Sequence, residues 1–403
     1  MSKIYWVGSR LADIQGDEDN FAGAITLFGS SRICLGSECY ESEHKHRLNQ
    51  NSYDDAEKIK YFFKEKIEKT IISDQDSVFF CYGSEWNSVD SVFLKSFPYI
   101  NKQQIIRLCK DKFRARSMVA SFAPVVPAVC LFRTDCTFEA LTRLFPGNRR
   151  FVIQSAYGAG GEGTILVNEK NCASRIDLLK GYELIASPYI DAIPINVHVV
   201  IGLDDLMVLQ PSIQLIEKDG RGKLLYRGGD FSAASSLSHS MLSEIAKISR
   251  LVAQRLQAAG YRGVLGVDYL LTESGPMFVE INPRFQASSF VLSRHLRRLG
   301  LPSLQMLHRR AFEGGSVTLS EVPHAYASFI VFLKGGAGVE WRDSATFPGE
   351  HDSFGGGAHT FSPGAPVARV YFSDPIVRIG NRVVADTPLA RQIGLSPSIF
   401  SHW

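Results

Sequence analysis

The sequence is poor in the features that would assign it to a class at once. Its seven cysteines (Cys34, Cys39, Cys81, Cys109, Cys130, Cys136, Cys172) are an odd number and contain no C-x-x-C pair. Neither a structural zinc site nor a disulfide framework fits that pattern, and reduced thiols are expected. No apolar run is long enough to span a bilayer, and the opening residues MSKIYWVGSR lack the apolar stretch of a signal peptide. A cytoplasmic protein with no membrane partner is therefore expected. An excess of one charge is missing too: 44 Lys plus Arg against 41 Asp plus Glu leave a formal charge of +3. That balance argues against a nucleic-acid partner, although a local basic patch survives such averaging. There is no internal repeat, no long low-complexity tract and no Ser/His/Asp or Cys/His set.

What is present describes a folded chain of several parts. With 45% hydrophobic and 21% charged residues, the 403 residues have the balance of a globular protein. At roughly 150 residues per domain, two or three domains are expected. The β-rich runs KIYWVG (3–8) and SVFFCYG (77–83) flank a helical pattern over 54–71, which predicts an open α/β domain with partly parallel strands. The charged stretch CYESEHKHR (39–47) carries two His without regular ligand spacing and reads as a solvated loop. From Asn101 one helix, QQIIRLCKDKFRARSMVASF, runs to Ala123-Pro124 and the strand-like VVPAVCLF (125–132).

Further runs predict strands over 183–190, 195–203 and 206–216. A helix is predicted over 240–260, with Leu242, Ile245, Ile248, Val252 and Leu256 as its apolar stripe, Ser240 as N-cap and Gly260 as stop. Residues 335–370 hold eight glycines between apolar segments, which reads as a small β-rich closing domain.

Two motifs carry chemistry. Gly158, Gly160, Gly161 and Gly163 in YGAGGEGT join two β-rich arms, FVIQS and TILV. Glycines let backbone N–H groups close on an anion, but this is neither a P-loop nor a dinucleotide fingerprint opening a helix. A flap over phosphates and a plain flexible turn both fit. The second motif is the hairpin VLGVDYLL (264–271), TESGP, MFVEINPRF (277–285). Alternation puts Glu280, Asn282 and Arg284 on one face and Val279 and Ile281 on the other. A turn centred on Ser274 sets Asp268 opposite Glu280. Carboxylates about 5 Å apart repel, and a divalent cation relieves that repulsion. An Asp/Glu/Asn set offers only oxygen, which suits Mg²⁺ held together with phosphates. The alternative is a pair of solvent-facing carboxylates.

Taken in order, these motifs make residues 100–315 resemble the ATP-grasp superfamily of ligases, in its biotin-carboxylase-like and peptide-ligase branches. Asp111-Lys112 precedes a helix, a strand leads into the flap from Gln154 to Thr164, and ASPYI resembles an adenine-binding hinge. The twelve residues from Asp268 to Glu280, followed by N-x-R, resemble the metal-binding strands.

The resemblance implies an α/β (α+β) ATP-grasp fold in four parts. These are an N-terminal open α/β domain (1–105), a first subdomain with the flap (106–190), a second subdomain with the metal hairpin (191–315) and a small β-rich C-terminal domain (316–403). It implies an enzyme that uses ATP and one or two Mg²⁺, with Mn²⁺ as a substitute. Such an enzyme activates a small carboxylate as an acyl phosphate and joins it to an amine.

The rival expectations are transfer to a carrier-protein thiol, a bicarbonate-dependent carboxylase and an inactive nucleotide-binding regulator. A homodimer is a further expectation. By resemblance, Lys112 reaches ATP phosphates together with the flap residues Gln154, Tyr157, Gly158, Gly160, Gly161 and Gly163. The backbone near Ser187, Tyr189 and Ile190 holds adenine, with Ile153 as a wall. Asp268, Glu280 and Asn282 hold Mg²⁺, and Arg284 steadies the acyl phosphate. Arg227, in DGRGKLLYRGGD (219–230), grips a substrate carboxylate or is merely an exposed turn residue; His198 faces the site or the core. Two departures stand out. Gln154 replaces a common phosphate-binding Lys, and Ser187 replaces the usual acidic hinge residue.

Overall fold

The computed structural model describes all residues except 1, 31, 53, 84, 156–162, 322–323, 334–349, 354–359, 381 and 400–403. A parallel sheet opens the chain, with strands in the order Ser37–Cys39, Gly23–Phe28, Ile4–Arg10, Val78–Cys81. The helix Ala56–Ser73 covers it through Phe62, Phe63, Ile67 and Ile71, the apolar positions that recur at helical spacing. The stretch 39–47 is not a solvated loop. Tyr40–His44 is helical, and His46–Arg47 pairs with Thr360–Phe361. Arg47 and Glu41 are buried against each other, so the charges are satisfied by pairing rather than by water.

The single helix expected after Asn101 is two helices, Gln103–Lys110 and Lys112–Val119. Asp111 breaks the run because its carboxylate accepts the Arg114 backbone N–H at 3.0 Å, capping the second helix. The capped helix starts at Lys112. The later helix is His239–Ala258, capped by Ser238 rather than Ser240. Its Ile245, Ile248, Val252 and Leu256 are buried as the stripe requires.

A four-stranded antiparallel sheet follows, in the order Val129–Phe132, Glu183–Pro188, Arg150–Ser155, Thr164–Asn168. The main sheet has eight strands among the described residues. It starts with the hairpin Gly275–Asn282 and Gly263–Thr272, then runs through Ile193–Ile201, Leu206–Lys218 and Leu224–Asp230. Ser328–Leu333, Pro366–Phe372 and Glu350–Ser353 complete it, while Arg378–Ile379 and Val383–Val384 pair with each other in a separate two-stranded sheet. Residues Ile376, Val383, Leu389 and Ile399 share its core with helix His239–Ala258.

One aromatic cluster binds the N-terminal sheet to the rest. Phe285 packs against Trp6, Phe80 and Tyr82 with ring centroids 6.2, 5.8 and 6.2 Å away, and against His308 at 5.1 Å. The Phe285 N–H also donates to the Tyr82 carbonyl at 3.1 Å. Phe285 follows Arg284 directly, so this packing fixes where the arginine leaves the backbone.

Candidate active site

The three sheets enclose a cavity of about 420 Å³. Its floor is the Asp268/Glu280 hairpin, and the pairing of those two residues comes about in an unexpected way. The turn holds only Glu273 and Ser274, with Thr272 opposite Gly275. A strict ladder from there would place Asp268 opposite Val279. A β-bulge between Asp268 and Tyr269 shifts the register by one, and Asp268 faces Glu280. The bulge also turns Val279 into the cavity beside Glu280 and Asn282, against the alternation that assigned it to the opposite face.

Asp268 is held from every side by neutral amides. Its Oδ1 accepts from Asn196 Nδ2 at 2.5 Å and Gln214 Nε2 at 3.1 Å, and its Oδ2 from Asn282 Nδ2 at 2.9 Å. Asn196 Nδ2 also donates to Gln286 Oε1 at 2.7 Å. Gln286 lies so close over Gly266 that a Cβ there would stand 1.8 Å from its Nε2, so only glycine admits this arrangement. Burial, reinforced by the Glu280 charge, pushes the Asp268 carboxyl well above the ordinary carboxylate range. Burial also opposes ionisation of Glu280. Lys112, then Arg116 and Arg284, outweigh it and hold Glu280 below its usual value.

Two cations come from one short helix. Lys112 and Arg116, four residues apart, share a face. Lys112 Nζ lies 3.3 Å from Glu280 Oε2. Arg116 is 4% exposed and donates three ways: Nε to the Val279 carbonyl at the bulge (2.8 Å), Nη1 to Ser187 Oγ (2.9 Å) and Nη2 to Gln154 Oε1 (3.0 Å). Burial lowers its pKa to about 10, with Glu280 opposing, so it stays protonated. Sequence reading passed over Arg116; its i, i+4 spacing from Lys112 was the available signal.

Gln154 completes the group, donating through Nε2 to Thr164 Oγ1 at 3.3 Å. Gly163 adopts φ +75° at the end of the flap hairpin, and its carbonyl accepts the Ser155 N–H at 2.8 Å. Tyr157, Gly158, Gly160 and Gly161 lie outside the described residues. Ser187 and Ile190 line the cavity. Tyr189 does not: its ring lies under the Arg150 guanidinium at 4.1 Å. Ile153 also points away, into the core with Phe151 and Ile165. Strand alternation puts Val152 and Gln154 on the cavity side instead.

Arg284 lines the cavity and donates through Nη1 to the Phe285 carbonyl at 2.9 Å. Arg227 is not brought to the cavity. It is fully buried, ion-paired with Glu217 and bonded to the Val331 carbonyl at 3.0 Å. Its segment is a strand, Leu224–Asp230, on which Arg227 and Tyr226 face opposite ways, and Tyr226 has the cavity side. His198 is a core residue, bonded through Nε2 to Ser289 Oγ at 2.9 Å and held neutral by burial, with a pKa of about 3.

The donors at the floor suit a hard divalent cation. Asp268 and Glu280 are opposed carboxylates, Asn282 adds an amide oxygen, and no cluster of three or more His, Cys, Asp or Glu occurs among the described residues. A cation between the carboxylates would offset the burial and the Glu280 charge that together disfavour ionised Asp268.

Opposed carboxylates and the three cations Lys112, Arg116 and Arg284 thus line one cavity. Residues 109–288 match the ATP-grasp domain, and the chain carries that domain within an ATP-grasp fold. It is 26% identical over 156 residues to the [butirosin acyl-carrier protein]–L-glutamate ligase of Niallia circulans; the match covers 36% of this chain and 35% of that protein. The matched region thus spans about a third of the length of that curated relative.

Among solved structures, the carboxyaminoimidazole ribonucleotide synthase of Aspergillus clavatus complexed with ATP is 17% identical. It covers 93% of this chain and 94% of its own, with a TM-score of 0.62. The biotin carboxylase domain dimer of the Hydrogenobacter thermophilus 2-oxoglutarate carboxylase, with MgADP, ADP and bicarbonate, is 14% identical. It covers 93% and 87%, with a TM-score of 0.65. No helix among the described residues is long and apolar enough to cross a membrane.

Proposed function

We propose that the chain is an ATP- and Mg²⁺-dependent ligase that converts a carboxylate into an acyl phosphate and transfers the acyl group to an amine, releasing ADP and phosphate. The observation that carries this reading is the opposed pair Asp268 and Glu280 facing Lys112, Arg116 and Arg284 within one cavity. Negative groups that would hold a divalent cation and positive groups that match phosphate oxygens are otherwise expensive to bury side by side. A triphosphate with its cation satisfies both. The carboxyaminoimidazole ribonucleotide synthase and the biotin carboxylase domain, with ATP and MgADP respectively, support the choice of nucleotide.

In this reading Lys112 and Arg116 bind phosphate oxygens, and Gln154 adds a neutral hydrogen bond. Ser187 and Ile190 stand beside the base. Asp268, Glu280 and Asn282 hold Mg²⁺, which supplies charge neutralisation at the phosphates. Arg284 stabilises charge on the transferring phosphoryl group. Mn²⁺ as a substitute, a cytoplasmic location and a homodimer belong to the same proposal. A second reading, transfer to a carrier-protein thiol, is favoured by the acyl-carrier protein named in the curated relative.

The test is phosphate release from ATP across pairs of small acids and amines, then mass spectrometry of product and of any carrier protein added. A free amide supports the first reading and a mass shift on the carrier supports the second. No ADP formation with any acceptor, in a protein that binds ATP, would overturn both.

A further inference from the structure

A second cavity, of about 710 Å³, lies outside the matched segment 109–288 and shares no lining residue with the first. One of its walls is the helix Ser289–Arg298, which starts directly after the Gln286–Ser288 loop of the first cavity. Phe290, Arg294 and Arg298 follow one another at intervals of four and form a stripe along that wall. The other walls are the end of strand Pro366–Phe372 with the loop that follows it, and the short helix Pro388–Gln392. A concave site of this size accommodates a small molecule.

The cavity has a fixed aromatic shelf. Phe290 and Tyr371 pack with ring centroids 4.5 Å apart. The Arg369 guanidinium lies over both rings, 3.8 Å from the Phe290 centroid and 5.4 Å from that of Tyr371. Arg369 is fully buried and bonded to Asp13 Oδ1 at 2.8 Å, so it anchors the shelf from the protein side. Arg294 stands over the Tyr371 ring at 5.7 Å, which sets a second cation beside the shelf. Arg298 lies one turn further along the helix. A guanidinium carries five N–H donors, so an arginine that already has partners can also serve an anion. Against these two arginines the described lining has one acid, Asp374, exposed on the loop after Pro366–Phe372. His295 lines the cavity as well; burial, then the Arg298 charge, lowers its pKa, so its ring is neutral at pH 7.

We propose that this cavity is a second ligand site and takes a small molecule in which a flat ring carries a phosphate or a carboxylate. The ring packs on Phe290 and Tyr371, and the anion meets Arg294 and Arg298. A ring alone leaves the arginines without a counter-charge from the ligand. An inorganic anion alone leaves the shelf bare. The site stands apart from the chemistry of the first cavity, so it holds whatever reaction occurs there.

The experiment is a ligand-detected NMR titration of the whole chain with phenyl phosphate and benzoate, set against inorganic phosphate and benzyl alcohol. At least one ring-bearing anion is expected to bind about tenfold or more tightly than either half alone, and the tighter of the two names the anion. The double variant Arg294→Gln, Arg298→Gln should weaken it by about tenfold or more. Asp374→Asn should tighten it, because a like charge leaves the lining; this exposed position carries the test if the double variant melts lower than the wild type. Bound ligand should also raise the titration midpoint of His295, since a nearby anion favours the imidazolium. That midpoint is read from the ring C2–H resonance, which His295→Gln identifies. Lys112→Ala, in the first cavity, should leave the binding unchanged. Binding lost in Lys112→Ala and kept in the arginine variant, or no ring-bearing anion held better than its halves, would overturn the proposal.

Discussion

Arg116 Nη2 stands 3.0 Å from Gln154 Oε1, so a cation from the first helix of the ATP-grasp domain lies against the flap strand whose own residue there is neutral. The same guanidinium reaches the Val279 carbonyl and Ser187, joining the helix to three strands. Charge that Gln154 does not bring is present at that point on a different element.

Relocation of that cation predicts a rescue. Arg116→Gln and Lys112→Ala should each raise the KM for ATP by roughly tenfold to a hundredfold, the range of a charge-assisted hydrogen bond of about 1.5–3 kcal/mol. Gln154→Ala should cost less. The double variant Arg116→Gln, Gln154→Lys should recover part of the lost affinity. Steady-state kinetics at fixed Mg²⁺ and ionic strength checks all four, and a double variant no better than Arg116→Gln would make Arg116 a purely structural cross-link.

The opposed carboxylates predict a split between activity and stability. Asp268→Asn or Glu280→Gln should nearly abolish ADP formation. Without ligands, Asp268→Asn should melt no lower than the wild type, because it relieves buried like-charge repulsion. Turnover over a Mg²⁺ titration and ligand-free melting curves measure the two halves; near wild-type rates at ordinary Mg²⁺ would remove the metal assignment.

For Arg284 the expectation concerns the rate. If it acts on charge that develops during phosphoryl transfer, Arg284→Lys should lower kcat about a hundredfold, or about 3 kcal/mol, with little change in the KM for ATP. An effect confined to KM would place it in ground-state binding.

His308 gives the pH dependence of the fold. Its Nδ1 accepts the Val264 N–H at 3.0 Å, and its Nε2–H donates to the Tyr99 carbonyl at 3.1 Å, an arrangement available only to the neutral ring. Burial lowers its pKa to about 4. The unfolded chain takes up a proton near pH 6.5 that the fold refuses. Its contribution is therefore complete above pH 6.5 and declines as pH falls toward 4, by up to about 1.4 kcal/mol per unit. Melting temperatures between pH 4 and 8 should fall on the acid side, and less steeply in His308→Gln, even though that variant starts lower.

Local patterns carried far into the fold and less far into the site. The hairpin was legible because alternation and turn residues act over a few positions. Asp268 met Glu280 as expected, although a two-residue turn and a compensating bulge, neither visible in the pattern, produced that register. Period-two alternation separates Ile153 from Gln154, since neighbours on a strand without a bulge face opposite ways. Arg227 was opaque for a different reason. Its partner Glu217 is brought near by strand pairing across a hairpin, and nothing in DGRGKLLYRGGD announces that pairing. Arg116 escaped because its value comes from Val279, Ser187 and Gln154, three residues scattered along the chain.

The seat of Phe285 among Trp6, Phe80 and Tyr82 has a consequence for dissecting the chain. Cutting ahead of residue 109 would strip the aromatic partners from Phe285, expose the underside of His308 and leave Arg284 on an unsupported loop. The ATP-grasp segment is thus no portable cassette. A chimera with a foreign N-terminal domain needs a matching set of rings at these positions before its arginine can point into the cavity.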